Sequence, residues 1–157
     1  MSAVAERAGV AAGTAYVHNE DKDVLLVVTD AEIQAERTAA ALAGLDTDEP
    51  LEEQFLHVWH NHYRHLAADP ARARYIIQVE SSPYADEAHR RAMERQGPLS
   101  PATQQWLDQT IDLPLMLVWD LGFGPAIRLA ANTERELDEA GLDTLARACL
   151  RAVQRPD

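Results

Sequence analysis

Residues 4–18 read VAERAGVAAGTAYVH, and KDVL follows at residues 22–25. Two short helical segments, separated by Gly9, account for this pattern. Two helices that cross at a steep angle need a small residue at the crossing, which Ala5 provides. They also need a turn residue that tolerates positive φ, which Gly9 provides four positions later. The stretch therefore predicts a helix-turn-helix, in which the second helix reads the major groove of DNA.

The same residues resemble the signature of the tetracycline-repressor (TetR) family of bacterial transcription regulators, over residues 3–28 of this chain. The resemblance implies an all-α fold with a partial helix-turn-helix region and connecting helix over 1–43. A TetR-like helical ligand-binding and dimerisation domain would follow over 44–157. Phosphate contacts fix the position of such a protein on DNA, and contacts to base edges specify sequence. The implied DNA-binding residues are Ala11, Ala12 and Thr14 near the bases, and Tyr16, His18 and Lys22 near the phosphates.

Three features depart from the family pattern. The family's first helix has no counterpart before residue 1, and Asn19 stands where the family has an aromatic residue. Ala11 replaces the Ser or Thr that caps the recognition helix, a cap worth about 1 kcal/mol. Residues 1–30 also carry two basic and five acidic side chains, a net charge of −3 that opposes phosphate binding. We expect weak or absent operator binding by the chain as given, either because the sequence is truncated or because its DNA-binding region has degenerated.

The composition is that of an ordinary globular protein. Of 157 residues, 46% are hydrophobic and 25% charged, and the single cysteine, Cys149, excludes an intrachain disulfide. The sequence has neither a run of about 18 apolar residues nor a visible signal peptide, which predicts a cytoplasmic protein without membrane contact. The net charge of −12 argues against nonspecific nucleic-acid binding over the whole surface, but it is compatible with a local DNA-binding patch.

Helical periodicity continues to the C-terminus, where Pro and Gly divide the chain into segments. Gly44 is expected to end the first long helix, and Asp48 to cap the next, with Pro50 in its first turn. Asn132 and Thr133 are expected to end one helix and cap the last. The predicted helices after the helix-turn-helix are 21–43, 51–68, 71–81, 84–97, 101–110, 113–131 and 134–154.

The predicted helix 51–68 has an aromatic face at helical spacing. Such a face is commonly plain hydrophobic core. The resemblance, however, implies that this helix lines a central ligand cavity, and ligand pockets are mostly apolar with a few placed polar groups. That interpretation predicts a small apolar or aromatic effector and no cofactor. The predicted ligand-binding residues are Phe55, Trp59, His62 and Tyr63, with Trp106, Met116 and Trp119 from opposing segments.

Four histidines in the same helix raise the question of a metal site. They are His57, His60, His62 and His65. The two pairs at i, i+3 spacing point in different directions, and no cysteine or carboxylate cluster completes a tetrahedral site. Solvated or core histidines are the simpler interpretation, and no metal is predicted. No nucleophile motif or phosphate-binding loop is recognisable, so we do not expect an enzyme.

The last two predicted helices are apolar on more than one face, so each needs to be buried on more than one face. Either 113–131 is the central helix of a monomer, or two copies of the chain join through these helices. The resemblance implies the second arrangement, a four-helix bundle between subunits, and we expect a homodimer. The predicted interface residues are Leu117, Leu121, Phe123, Ile127, Leu145 and Cys149.

These expectations combine into a ligand-responsive, DNA-binding repressor of the TetR type. Ligand binding within 44–157 would move the helix over 21–43 and change the spacing of the two DNA-binding regions in a dimer. The alternative is a dimeric small-molecule-binding module that has a degenerate or incomplete DNA-binding domain and no DNA activity of its own.

Overall fold

A computed structural model of the chain describes residues 22–96, 101–134 and 136–156. Within these ranges the backbone forms seven α-helices and no strand beyond an isolated antiparallel bridge between Thr110 and Gln154. The predicted all-α fold class is confirmed, while the two short helical segments predicted on either side of Gly9 lie outside the described residues. The helices are α1 Lys22–Leu42, α2 Leu51–Ala67, α3 Pro70–Glu80, α4 Ala85–Gln96, α5 Pro101–Leu107, α6 Leu115–Ala131 and α7 Glu139–Val153.

One predicted helix end is confirmed and two predicted caps are wrong. Gly44 follows the end of α1 with a φ of 71°, the left-handed conformation that glycine adopts without strain. Helix α2 begins after Pro50, which occupies the N-cap position without a side-chain cap. Asp48 lies two residues earlier, in a loop turn where its N–H donates to Asp46 Oδ1. The second wrong prediction is Thr133, which was expected to cap the last helix.

Helix α7 begins at Glu139, later than the sequence pattern predicts. The Asn132 side chain accepts a hydrogen bond from the Glu134 N–H, which makes a turn there rather than a helix start. Asp138 is the actual N-cap, and its carboxylate accepts from the Gly141 N–H at 2.8 Å. An aspartate in this position stabilises the free N–H groups of the first turn.

The chain divides into two compact units. Of the described residues, unit 1 comprises 22–36 and 78–96, and unit 2 comprises 37–77, 101–134 and 136–156. In unit 1, the arginines of α4 pair with carboxylates: Arg90 and Arg91 with Glu87, and Arg95 with Glu32 at 4.0 Å. Hydrogen bonds from Arg90 and Arg91 lower the pKa of Glu87. These pairs are exposed and contribute little to stability.

Unit 2 is built on three helices, α2, α6 and α7, which pack against one another. Buried apolar area is the main source of stability in such a bundle. Three polar contacts link the surfaces of α2 and α7: Arg64 with Glu139, Arg147 with Glu52, and His60 with Asp143. The core of unit 2 consists of Phe55, Leu56, Trp59, Val118, Phe123, Ala126, Leu142, Ala146, Cys149, Leu150 and Val153.

None of the helices in the described part of the chain is both long enough and apolar enough to cross a membrane.

Candidate functional site

An aromatic cluster occupies the interior of unit 2 where α2 packs against α6. The Trp119 and Phe123 ring centroids are 4.4 Å apart, and Phe123 and Phe55 are 5.2 Å apart. Trp106 joins the cluster from α5, stacked on Phe55 at 5.9 Å. These separations are those at which aromatic pairs attract each other beyond simple area burial. The aromatic cluster consists of Phe55, Trp59, His62, Tyr63, Trp106, Trp119 and Phe123.

Six of the seven residues predicted to bind a ligand take part in these ring contacts. The seventh, Met116, lies half-buried on α6. Phe123 belongs to the cluster too, although the sequence pattern assigned it to the dimer interface. Helical spacing explains its place, since Trp119 and Phe123 are one turn apart on the face of α6 that meets α2.

Trp59 is the most deeply buried member of the cluster. It stacks on Tyr63 one turn further along α2, with 6.0 Å between ring centroids. Its indole Nε1 donates to the carbonyl oxygen of Gly122 at 3.2 Å. A buried indole N–H needs such a partner, because an unmet donor costs about 1–3 kcal/mol. Trp59 therefore fixes α2 to α6 by a directed bond as well as by packing.

His62 is buried among rings, with only 1% of its surface exposed. Its ring lies edge-on to Trp119 at 6.3 Å and to Phe123 at 5.5 Å. In the described part of the chain, its Nε2 atom has no hydrogen-bond partner. Burial, and then the charges of Arg37 and His65, hold the pKa of His62 well below its ordinary value, so the imidazole is neutral at pH 7.

A cation flanks the aromatic cluster at the C-terminal part of α1. Arg37 is buried, and its guanidinium carbon lies 5.7 Å from the centre of the Trp119 ring. This distance is within the range of a cation–π interaction, which is worth about 2 kcal/mol when desolvated. Sequence reasoning missed Arg37, although a single basic residue within the alanine-rich segment 35–43 was a usable signal.

The other three histidines of α2 have separate partners. His57 Nε2 lies 2.9 Å from the Ala43 carbonyl oxygen, and His65 Nε2 lies 3.0 Å from Arg72 Nη1. His60 faces Asp143, and burial together with the Arg64 charge lowers its pKa. Within residues 22–96, 101–134 and 136–156, no three potential metal ligands come together. His57 and His60 instead line a polar surface cleft of about 510 Å³ between the start of α2 and α7.

The residues predicted for the dimer interface fall into two groups. Leu117 and Leu121 are 49% and 42% exposed, whereas Phe123, Ile127 and Cys149 are buried in the chain's own core. Burial raises the pKa of the Cys149 thiol, as expected in an apolar site. The three buried side chains leave no surface for a partner, so an interface would draw on the exposed leucines. Leu145 is half-buried.

Exposed leucines recur on α6 and in the segment before it. Leu113, Leu117 and Leu121 are spaced four residues apart, and each is more than 40% exposed. We call these three residues the leucine stripe. Next along the same face, a side chain added at Gly124 would meet nothing within 4 Å, so the surface there is open. On α7 the exposed residues at the same spacing are small: Ala140, Thr144, Ala148 and Ala152.

The predicted DNA-binding residues are almost all outside the described part of the chain. Ala11, Ala12, Thr14, Tyr16 and His18 fall before residue 22. Lys22 is the first residue of α1, which continues without interruption to Leu42.

The all-α fold of this chain is similar to that of solved TetR-family transcriptional regulators. Three solved structures carry this fold over nearly the whole chain. A TetR-family transcription regulator from Marinobacter aquaeolei VT8 aligns with a TM-score of 0.74 and 23% sequence identity, covering 97% of this chain and 83% of its own. Similarity at this level of identity establishes the fold.

The other two structures agree with the first. A TetR-family transcriptional regulator from Haemophilus influenzae aligns with a TM-score of 0.69 and 24% identity, covering 96% of this chain and 82% of its own. A TetR-family regulator protein from Vibrio parahaemolyticus aligns with a TM-score of 0.64 and 23% identity, covering 99% and 87%. No protein-family model and no curated protein sequence matches the chain.

Proposed function

We propose that this chain is a ligand-responsive, DNA-binding transcriptional regulator, acting as a repressor in the cytoplasm. Unit 2 binds a small apolar or aromatic effector and pairs with a second copy, and the predicted DNA-binding residues up to and including Lys22 contact operator DNA, weakly because the net charge of −3 over residues 1–30 opposes the phosphates. The observation that carries this proposal is the fold. Each of the three similar structures is a TetR-family regulator, and together they match 96–99% of the chain.

The aromatic cluster supports an effector site. Ligand sites are mostly apolar and contain a few polar groups that fix orientation. The cluster has this composition, with one neutral imidazole, His62, among six aromatic rings. Trp106, Trp119 and Tyr63 are only partly buried, so an aromatic effector can displace one of these rings, that of Trp119, without opening the fully buried core around Trp59.

The contact between Arg37 and Trp119 supports a route from effector to DNA. An effector that moves the Trp119 ring removes the cation–π contact that holds the C-terminal part of α1. Since α1 is one continuous helix from Lys22 to Leu42, a change at Arg37 is transmitted along it toward the DNA-binding residues. The effector shifts this equilibrium only by its difference in affinity for the two positions of the ring.

The leucine stripe supports pairing with a second copy. Three exposed leucines at a spacing of four residues, together with the small exposed residues of α7, give an apolar surface that a two-fold axis can bury against itself. Small residues allow two helices to approach closely, and leucines from the partner fill the space between them. A dimer places two DNA-binding regions at a fixed spacing, as recognition of a two-fold symmetric operator requires.

Immunoprecipitation of crosslinked DNA tests the regulator function. The protein is tagged at its C-terminus, at its own chromosomal locus, and the recovered DNA is sequenced. Because crosslinking captures weak contacts, we expect modest enrichment at a few discrete sites that contain two symmetric half-sites. Lys22→Ala should lower enrichment at all of them, because a lost phosphate contact weakens binding independently of sequence. Arg64→Ala, which removes the same charge from an exposed ion pair in unit 2, is the matched control.

Two outcomes would contradict the proposal. If the protein is abundant but no site is enriched, the chain is a small-molecule-binding module without DNA activity. If Lys22→Ala and Arg64→Ala reduce enrichment equally, then general surface charge, and not a DNA-binding face near Lys22, is responsible.

A further inference from the structure

The Nε2 atom of His62 is the polar group of unit 2 that its surroundings explain least. The atom is buried and lacks a hydrogen-bond partner in the described part of the chain. Leaving a buried polar atom unpaired costs about 1–3 kcal/mol, so proteins rarely retain one without a reason. A phenylalanine of similar shape would fill the same space without that penalty.

None of the described residues around His62 forms a hydrogen bond with this atom. The rings edge-on to His62 are those of Trp119 and Phe123, at 6.3 and 5.5 Å between centroids, and the charges that act on it are those of Arg37 and His65. Trp119 is only partly buried, whereas Trp59 is fully buried, so Trp119 is the ring that a ligand displaces at the lower cost. A ligand ring that takes the place of Trp119 would retain the edge-on contact with His62.

We propose that the effector is an uncharged aromatic compound with a hydroxyl group, and that His62 Nε2 forms a hydrogen bond with this hydroxyl. The inference rests on the proposed effector site and names the ligand class for it. A hydroxyl both donates and accepts, so it pairs with Nε2 whichever nitrogen of the neutral imidazole carries the proton. A carboxylate in the same place would bring a charge into a ring-lined site at a much higher desolvation cost.

Three probes that share a methylphenyl group separate the contribution of the aromatic ring from those of a neutral hydroxyl and of a charged carboxylate. Toluene has no polar group, para-cresol has a neutral hydroxyl, and para-toluate has a carboxylate. Isothermal titration calorimetry at pH 7.5 gives their Kd values for the unaltered chain, for His62→Phe and for His57→Phe. His57 is on the same helix but on the surface, so its variant is the matched control.

We expect para-cresol to bind the unaltered chain and His57→Phe about five- to tenfold more tightly than toluene, the range that one hydrogen bond supplies. In His62→Phe the two Kd values should agree within about twofold. Circular dichroism checks that the variants are folded. If the phenylalanine side chain is too large for the site and the variant does not fold, His62→Leu is used instead, because leucine is smaller and also lacks the nitrogen.

The inference is overturned if toluene and para-cresol bind equally, if para-toluate binds more tightly than para-cresol, or if the preference for para-cresol survives in His62→Phe. Each of these results would contradict only the role of His62 or the choice of a hydroxyl compound as the effector. The proposed effector site would still be supported by binding of the probes. If none of the three probes binds the unaltered chain, the effector site itself is wrong and the inference is overturned with it.

Discussion

The indole of Trp59 on α2 hydrogen-bonds the carbonyl oxygen of Gly122 on α6, three residues before Pro125. Proline has no N–H, so the carbonyl of Leu121 lacks its usual donor within the helix, and the helix is weakened around this point. The bond from Trp59 goes to the neighbouring carbonyl, that of Gly122, and so joins α2 to α6 next to this interruption. It also ties the deepest residue of the aromatic cluster to the helix that carries the leucine stripe.

Trp59→Phe should lower the free energy of unfolding by about 1–3 kcal/mol, because it removes the donor and shrinks a fully buried ring. Urea denaturation monitored by circular dichroism measures the change. Trp106→Phe makes the same substitution at a partly buried ring of the cluster and should cost less than about 1 kcal/mol. Equal losses for the two variants would show that the bond to Gly122 contributes nothing measurable.

His62→Phe should leave the free energy of unfolding unchanged or raise it by about 1 kcal/mol, because it removes a buried unpaired nitrogen. His57→Phe should lower the same quantity by about 1 kcal/mol, since His57 loses its contact with the Ala43 carbonyl. Urea denaturation at pH 7.5 compares the two variants. A loss of more than 2 kcal/mol in His62→Phe would mean that His62 has a structural partner.

The stability of the chain should fall as the pH drops below 6.5. Because the pKa of His62 is lower in the folded chain than its ordinary value of 6.5, the unfolded state binds more protons in this range. The unfolding free energy therefore rises with pH, by up to about 1.4 kcal/mol per unit, and the contribution of neutral His62 is complete above pH 6.5. His60, whose pKa is also lowered, adds to the slope.

Denaturation of the unaltered chain and of His62→Phe between pH 7.5 and 5.5 isolates this contribution. The slope of the unfolding free energy against pH should be smaller in His62→Phe than in the unaltered chain. The slope that remains in the variant is due to His60 and other titratable groups. Identical slopes in the two proteins would contradict a neutral, buried His62.

Leu117→Arg should convert a dimer into a monomer. A guanidinium in the centre of the leucine stripe would be buried without a partner in a two-fold interface, at a cost of several kcal/mol. Sedimentation equilibrium at micromolar concentration should give twice the chain mass of 17.4 kDa for the unaltered protein and 17.4 kDa for the variant. Leu42→Arg, at an equally exposed leucine outside the stripe, should remain dimeric. A monomeric mass for the unaltered chain would refute the interface.

The order of the described helices and most of their bounds could be predicted from sequence, because glycines and prolines mark the breaks between periodic segments. Gly44 ends α1 by its positive φ, and a proline begins α3 and α5. The start of α7 could not be predicted from local signals. Thr133 and Asp138 are both good caps, and the choice between them depends on packing of the helix in the core.

The composition of the site was only partly predictable, because sequence periodicity identifies an apolar helix but not which side of it is covered. Helix α6 is apolar nearly all round, so Phe123 and Leu121 looked equivalent, yet one is in the core and the other is exposed. Arg37 was missed for another reason. Its contact with Trp119 joins residues far apart in sequence, and no local pattern encodes such a pair.

The central claim is that the aromatic cluster controls DNA occupancy through Arg37 and α1. Immunoprecipitation followed by quantitative amplification of the enriched sites compares the unaltered protein, Trp119→Ala and the exposed control Leu137→Ala. Loss of the cation–π contact should lower occupancy about three- to tenfold in Trp119→Ala, at equal protein abundance and unchanged dimer mass, and leave the control unaffected. Unchanged occupancy in Trp119→Ala would contradict the claim.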